Sequence, residues 1–173
     1  IMIKEASDWV KFCVNTINKA PDNKIALDLA CGSGRHSIFL SNKGYKVISV
    51  DLNFFYLTSF YKYNIFKIRS DIENLNAWPF KDEAFDIIVV TNFLNRLIFK
   101  SIKGAIKKNG YLIYETFGEG HEKLGSPKNK NYLLRKDELL KLTHNMRLIY
   151  YEEIKVINFE ARFIKHRILC KNV

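Results

Sequence analysis

Ile25 to Arg35, reading IALDLACGSGR, is the stretch that decides the fold of this 173-residue chain. Ile25, Ala26 and Leu27 form an apolar run, Asp28 follows, and Gly32 and Gly34 stand just beyond it. An apolar run that ends in a glycine-rich turn and then opens a helix marks the first strand of a nucleotide-type α/β sheet. The residues argue against a dinucleotide as the guest. A full G-x-G-x-x-G needs a glycine where Ser37 stands, and the position one turn earlier is Ala30. A pyrophosphate laid on this turn would also be repelled by the Asp28 carboxylate.

Downstream of the turn, Arg35 to Lys43 is predicted as a helix with Ile38, Phe39 and Leu40 inward, stopped by Gly44. Its first amides, behind Gly32 and Gly34, are free to bind a carboxylate. His36 lies in its first turn, within reach of the site, and the favoured expectation is an exposed, uninvolved histidine. Tyr45 to Val50 alternates and is β-branched, which reads as the second strand, and it ends at Asp51. Asp28 and Asp51 are 23 residues apart, one strand–helix–strand unit. An acid at that second tip can accept hydrogen bonds from both hydroxyls of a ribose. A helix over Asn53 to Asn64 and a third strand over Ile65 to Arg69 lead to Asp71 and Ile72.

The run Phe85 to Thr91, FDIIVVT, is what a central parallel strand buried on both faces requires. Ligands in open parallel sheets sit beyond the C-terminal ends of the strands, so Asn92, Phe93 and Arg96 are expected to face the site. A helix over Leu97 to Lys108, ended by Asn109 and Gly110, and a fifth strand over Tyr111 to Phe117 follow. Residues 118–134 form a long polar loop, expected over the site. Arg135 to His144 reads as a helix, and Arg147 to Ile157 with Ala161 to Cys170 as an antiparallel hairpin at the sheet edge. Upstream, Ser7 to Lys19 is an amphipathic helix with Ser7 as N-cap, ended by the turn Pro21-Asp22-Asn23. Residues 1–22 are expected to pack on the sheet or to lid the site.

The length suits one domain over residues 1–173. Hydrophobic residues are 47% and charged residues 27%, with no apolar run near the roughly 18 residues of a membrane helix. The N-terminal residues hold no signal-peptide h-region, and Ile1 ahead of Met2 points to a trimmed start. Cys13, Cys31 and Cys170 lack metal-ligand spacing, so no metal site is expected and the three read as buried thiols of a cytoplasmic protein. A net charge of +10 admits a nucleic-acid partner. The lysines are scattered, however, apart from Lys123 to Lys130.

The stretch Asp28-Leu29-Ala30-Cys31-Gly32-Ser33-Gly34 resembles motif I of the class I S-adenosylmethionine (SAM)-dependent methyltransferases, acid-x-Gly-x-Gly-x-Gly, with Ala30 in place of the first glycine. Asp51 resembles motif II, and Asp71 the acid that takes the adenine amino group, with the next backbone N–H on the ring. Asn92-Phe93-Leu94-Asn95-Arg96 is similar to the small bacterial tellurite-resistance group, where relatives tend to read N-Y-L-H-R, so Asn95 replaces a histidine. The resemblance covers nearly the whole chain. It implies a doubly wound, seven-stranded, mostly parallel α/β sheet of order 3-2-1-4-5-7-6 with the last strand antiparallel. It implies SAM as cofactor and S-adenosylhomocysteine as product; it says little about the acceptor, which is expected to be a small molecule. The implied cofactor residues are Asp28, Ala30, Cys31, Gly32, Ser33, Gly34, Asp51, Leu52, Asp71, Ile72 and Asn92. Phe93 and Arg96 would line the acceptor side, and Glu115 and His121 are the candidate general bases, ahead of Tyr114. The SAM sulfonium and ammonium would be attracted by Asp28. Two rival readings are an RNA or DNA methyltransferase and a SAM-binding subunit that needs a partner chain. Against the first, the N/D-P-P-Y/F motif of exocyclic-amine methylation is absent, since Phe93 and Leu94 follow Asn92.

Overall fold

The computed structural model describes residues 4–17 and 23–173. The expected turn at Pro21-Asp22 and the last residues of the first helix, Asn18 and Lys19, lie outside them.

Seven strands form one sheet: β1 Ile25–Leu29, β2 Lys46–Asp51, β3 Ile65–Arg69, β4 Phe85–Thr91, β5 Ile106–Phe117, β6 Arg147–Ile157 and β7 Arg162–Lys171. Their order is β3-β2-β1-β4-β5-β7-β6. The pairs from β3 through β5 are parallel, and β7 runs antiparallel to both β5 and β6. This is the expected topology. Among the described residues, α1 Asp8–Thr16 precedes the sheet, and four α-helices lie between strands: α2 Arg35–Asn42, α3 Phe54–Thr58, α4 Phe99–Gly104 and α5 Glu138–Leu142.

The central strands are buried on both faces, and strand alternation divides β4 between two cores. Ile88 and Val90 join Leu27, Leu112 and Tyr114 under Phe99 and Ile102 of α4 and Leu139 of α5. Ile87 and Val89 join Ala26, Val47 and Ile113 under Trp9, Val10 and Cys13 of α1 and Leu40 of α2. The N-cap of α1 is Ser7, whose hydroxyl accepts from the Val10 N–H at 3.2 Å. Trp78 and Phe80 close the edge of the first core, with Phe80 edge-on to Phe85 at 5.0 Å. All three cysteines are free and buried. Among the described residues no helix is long and apolar enough to cross a membrane.

Several helices are shorter than their apolar patterns predict. α3 stops at Thr58, and Phe54, Phe55, Tyr61 and Tyr63 are exposed. Aromatic residues lose rotamer freedom in a helix, and here only Leu57 and Phe60 find a core to repay it. The helix expected over Leu97 to Lys108 is a 3₁₀ turn, Arg96–Ile98, followed by α4. Lys107 to Gly110 belong to β5 instead, because Asn172 at the end of β7 donates to the carbonyls of Ile106 (2.9 Å) and Lys107 (3.2 Å) and holds them extended.

Candidate active site

The turn after β1 is built from backbone. Ala30 (φ 55°), Gly32 (φ 53°) and Gly34 (φ 78°) all take the left-handed region, which folds the chain back on itself. The Gly34 N–H donates to the Cys31 carbonyl at 3.0 Å and closes the turn. A Cβ on Gly34 would lie 2.6 Å from the Phe60 ring, so a side chain is excluded there twice over. A Cβ on Gly32 would meet nothing within 4 Å. Gly32 donates its N–H to Asp51 Oδ2 at 2.8 Å, and the other oxygen of that carboxylate accepts from the Asn53 N–H at 2.8 Å.

A cleft runs along the C-terminal ends of β1, β2, β3 and β4. Its larger part, about 580 Å³, is walled by Ala30 to Ser33 of the turn, by Asp51, and by Asn92 and Phe93 beyond β4. The smaller part, about 280 Å³, is walled by Leu52, Asp71, Ile72 and Glu73. Ala30, Asp51 and Phe93 border both parts, so the two are continuous. Of the eleven expected cofactor residues, Ala30, Cys31, Gly32, Ser33, Asp51, Leu52, Asp71, Ile72 and Asn92 line this cleft. Asn92 reaches it through a left-handed φ of 53°, with its N–H held by the Glu115 carbonyl at 2.8 Å.

Other expected site residues lie elsewhere. Asp28 is buried beneath the turn, 1% exposed, where it accepts from the Ser37 hydroxyl at 2.6 Å while Ser37 accepts from Ser49 at 2.7 Å. It is one residue short of the strand's end, so its side chain points into the α2 interface rather than out of the sheet. Burial pushes its carboxyl up to about 7, opposed by the Ser37 hydrogen bonds. Glu115 is fully buried and ion-paired to Arg167 (2.6 Å) and Lys165 (3.3 Å) of β7. It does not line the cleft. Arg96 is taken by Glu138 (2.6 and 2.9 Å) and by the carbonyls of Asn131 (2.6 Å) and Leu133 (2.8 Å). It straps the 118–134 loop to α5 rather than facing an acceptor. His121 is buried and stacked on Phe117, with Nε2 at 3.0 Å from the Ser126 carbonyl and Nδ1 accepting from the Ile164 N–H at 3.3 Å. Both its nitrogens are therefore engaged. Tyr114 donates to the Phe93 carbonyl at 2.7 Å, and burial pushes its phenol far up. No residue of 118–134 borders the cleft, contrary to the expectation for that loop.

Sequence reasoning missed Lys4, Arg35, His36, Tyr56 and Thr91, which complete the larger wall. His36 is the clearest case. It is 2% exposed, not exposed, because the N-terminal segment lies across it. Its place in the first turn after the glycines was the available signal; what covers it is 29 residues away.

Comparison with known proteins agrees with this geometry. Residues 26–110 match the family model described as a methyltransferase domain. No curated protein matches the chain in sequence. A SAM-dependent methyltransferase structure from Methanosarcina mazei is similar with a TM-score of 0.72 at 18% identity, over 98% of this chain and 99% of that one. TehB from Haemophilus influenzae is similar with a TM-score of 0.75 at 22% identity, over 97% of this chain but 63% of that one. Geranyl diphosphate C-methyltransferase from Streptomyces coelicolor A3(2), solved with Mg²⁺, geranyl diphosphate and S-adenosyl-L-homocysteine, has a TM-score of 0.72 at 12% identity, over 95% and 79% of the two chains. At these identities the likeness is one of fold. The match from Ala26 to Gly110 spans the glycine turn, Asp51, Asp71 and the end of β4, so the segment similar to a methyltransferase domain is the one that carries most of the cleft, and the fold is that of the SAM-dependent methyltransferase structures.

Proposed function

We propose that this methyltransferase domain binds SAM in the cleft beyond β1, β2, β3 and β4 and transfers its methyl group to a small molecule. The observation that carries the reading is the Gly32–Asp51 junction, a bare backbone turn facing open space beside a fixed carboxylate. Asp51 keeps lone pairs free beyond its two backbone bonds, enough for a ribose diol. Asp71 and Ile72 line the smaller part, where the adenine ring would lie. The turn at Ser33 and Gly34 and the first amides of α2 suit the cofactor carboxylate.

Bound there, SAM would supply a methyl group made electrophilic by its sulfonium. The chain's own contribution is then to hold and align two reactants and to keep water out, which can supply most of the barrier reduction in an in-line displacement. Asn92 and Phe93 are positioned for that task at the end of β4. Glu115 and His121 support the sheet and the loop rather than act as bases, since neither borders the cleft and each has its polar atoms engaged.

The test is incubation of the full chain with methyl-labelled SAM and a fractionated lysate, with label followed into small molecules, RNA and protein. Label in the small-molecule fraction is expected. Label confined to RNA, at a rate that falls steeply with salt, would replace this reading with the nucleic-acid one. Calorimetry comes first: a chain that binds a dinucleotide but neither SAM nor S-adenosylhomocysteine has another function.

A further inference from the structure

The larger part of the cleft has one wall that belongs to none of the expected motifs. It is Lys4, and a buried histidine holds the segment Lys4 to Ser7 that carries it. His36 Nε2 accepts the Ser7 backbone N–H at 3.2 Å, and His36 Nδ1 lies 3.3 Å from the Thr91 hydroxyl. Since Nε2 is an acceptor, the proton of a neutral ring sits on Nδ1 and is donated to Thr91. Burial, with Arg35 and Lys165 nearby, holds the imidazole down to about 3 and so neutral. Ser7 is also the N-cap of α1. One imidazole thus joins the start of α1, the first turn of α2 and the end of β4.

The segment it holds is not inert. Lys4 borders the cleft beside His36 and Thr91. Its neighbour Glu5 pairs with Lys11 at 2.6 Å, so Lys4 is the charge that this segment adds to the cleft, beside Arg35 and Asp51. We propose that His36 is a positioning residue that latches Lys4 to Ser7 onto the cleft and so completes the cofactor site. A histidine there does what a purely apolar residue cannot, because it satisfies a backbone donor and a hydroxyl on opposite sides of one ring.

The latch can be cut from either side. Ser7 has φ −61°, which proline accepts, so Ser7→Pro replaces the N–H by a ring carbon aimed at the imidazole and cuts the latch at this point. Ser7→Ala removes the hydroxyl cap and keeps the N–H. His36→Phe keeps the bulk and removes both nitrogens, and His36→Gln keeps a donor and an acceptor. Two quantities are read on the full chain: S-adenosylhomocysteine affinity by calorimetry, and hydrogen exchange of residues 8–11 by mass spectrometry. His36→Phe and Ser7→Pro are each expected to weaken affinity about tenfold and to speed exchange at the start of α1. The double variant should be no worse than either single one, as members of one interaction are. Ser7→Ala and His36→Gln should keep S-adenosylhomocysteine affinity within about threefold of wild type, while Ser7→Ala, which frees the Val10 N–H, speeds exchange at that amide. Additive losses, wild-type affinity in His36→Phe, or equal losses in Ser7→Ala and Ser7→Pro would each overturn the latch. The affinity measurement rests on the cofactor reading above, whereas the exchange measurement does not. If wild type binds no S-adenosylhomocysteine, the cofactor reading fails, and unchanged exchange in both cut variants is what would remove the latch.

Discussion

Gly32 donates its N–H to the Asp51 carboxylate at 2.8 Å, so the turn after β1 and the end of β2 form one rigid corner. The carboxylate is thereby aimed before any ligand arrives.

Asp51→Ala removes the charged acceptor of this corner and the one proposed for the ribose. A hydrogen bond to a charged group is worth about 1.5–3 kcal/mol, which predicts a loss of roughly 10- to 100-fold in S-adenosylhomocysteine affinity. Calorimetry measures it, with far-UV circular dichroism as the check on folding. Unchanged affinity would remove Asp51 from the site.

Gly34→Ala places a Cβ at φ 78° and 2.6 Å from the Phe60 ring. The left-handed conformation alone costs about 1 kcal/mol or more, and the contact adds to it. Urea denaturation should show a loss of about 2 kcal/mol. Phe60→Leu in the same chain should recover the contact part and leave the conformational part.

Glu115→Gln tests whether this residue is structural. The change leaves Arg167 and Lys165 without their shared buried carboxylate, and breaking a buried pair costs about 3 kcal/mol. The variant should unfold at lower denaturant and bind S-adenosylhomocysteine with wild-type affinity at a temperature where it is folded. A catalytic base would show the reverse, normal stability with lost turnover.

Asp28 links stability to pH. Its carboxyl, near 3.8 when free in water, is pushed up to about 7 in the folded chain by burial. The folded state therefore holds the proton more tightly than the unfolded one between those values. The resulting stabilisation is complete below about pH 4 and is lost as pH rises through about 7. Asp28→Asn keeps an acceptor for Ser37 and removes the titration. Thermal midpoints at about pH 5 and about pH 8 should fall for wild type relative to this variant.

Arg96→Ala frees the carbonyls of Asn131 and Leu133 and the Glu138 carboxylate together. Limited trypsin digestion should then cut faster at Lys123, Lys128 and Lys130. Cofactor affinity should be unchanged, since the strap does not border the cleft.

The sequence alone determined what depends on near neighbours. Alternation and near-continuous apolar runs identified the strands, and the glycine spacing marked the turn, because side-chain period and backbone φ are local properties. Asp51, Asn92 and Phe93 were placed at the cleft by the rule that ligands sit beyond strand ends in a parallel sheet, and Asp71 by the family resemblance. Tertiary structure decided which polar side chains were already taken. Glu115 meets Arg167 across 52 residues, Arg96 meets Glu138 across 42, and the Ser7 amide meets His36 across 29. Asp28 lies inside because both faces of β1 are covered. A carboxylate or imidazole looks equally free in a sequence whether it faces a ligand or a partner strand. Only the folded sheet, by bringing distant charges to hydrogen-bond distance, separates the two.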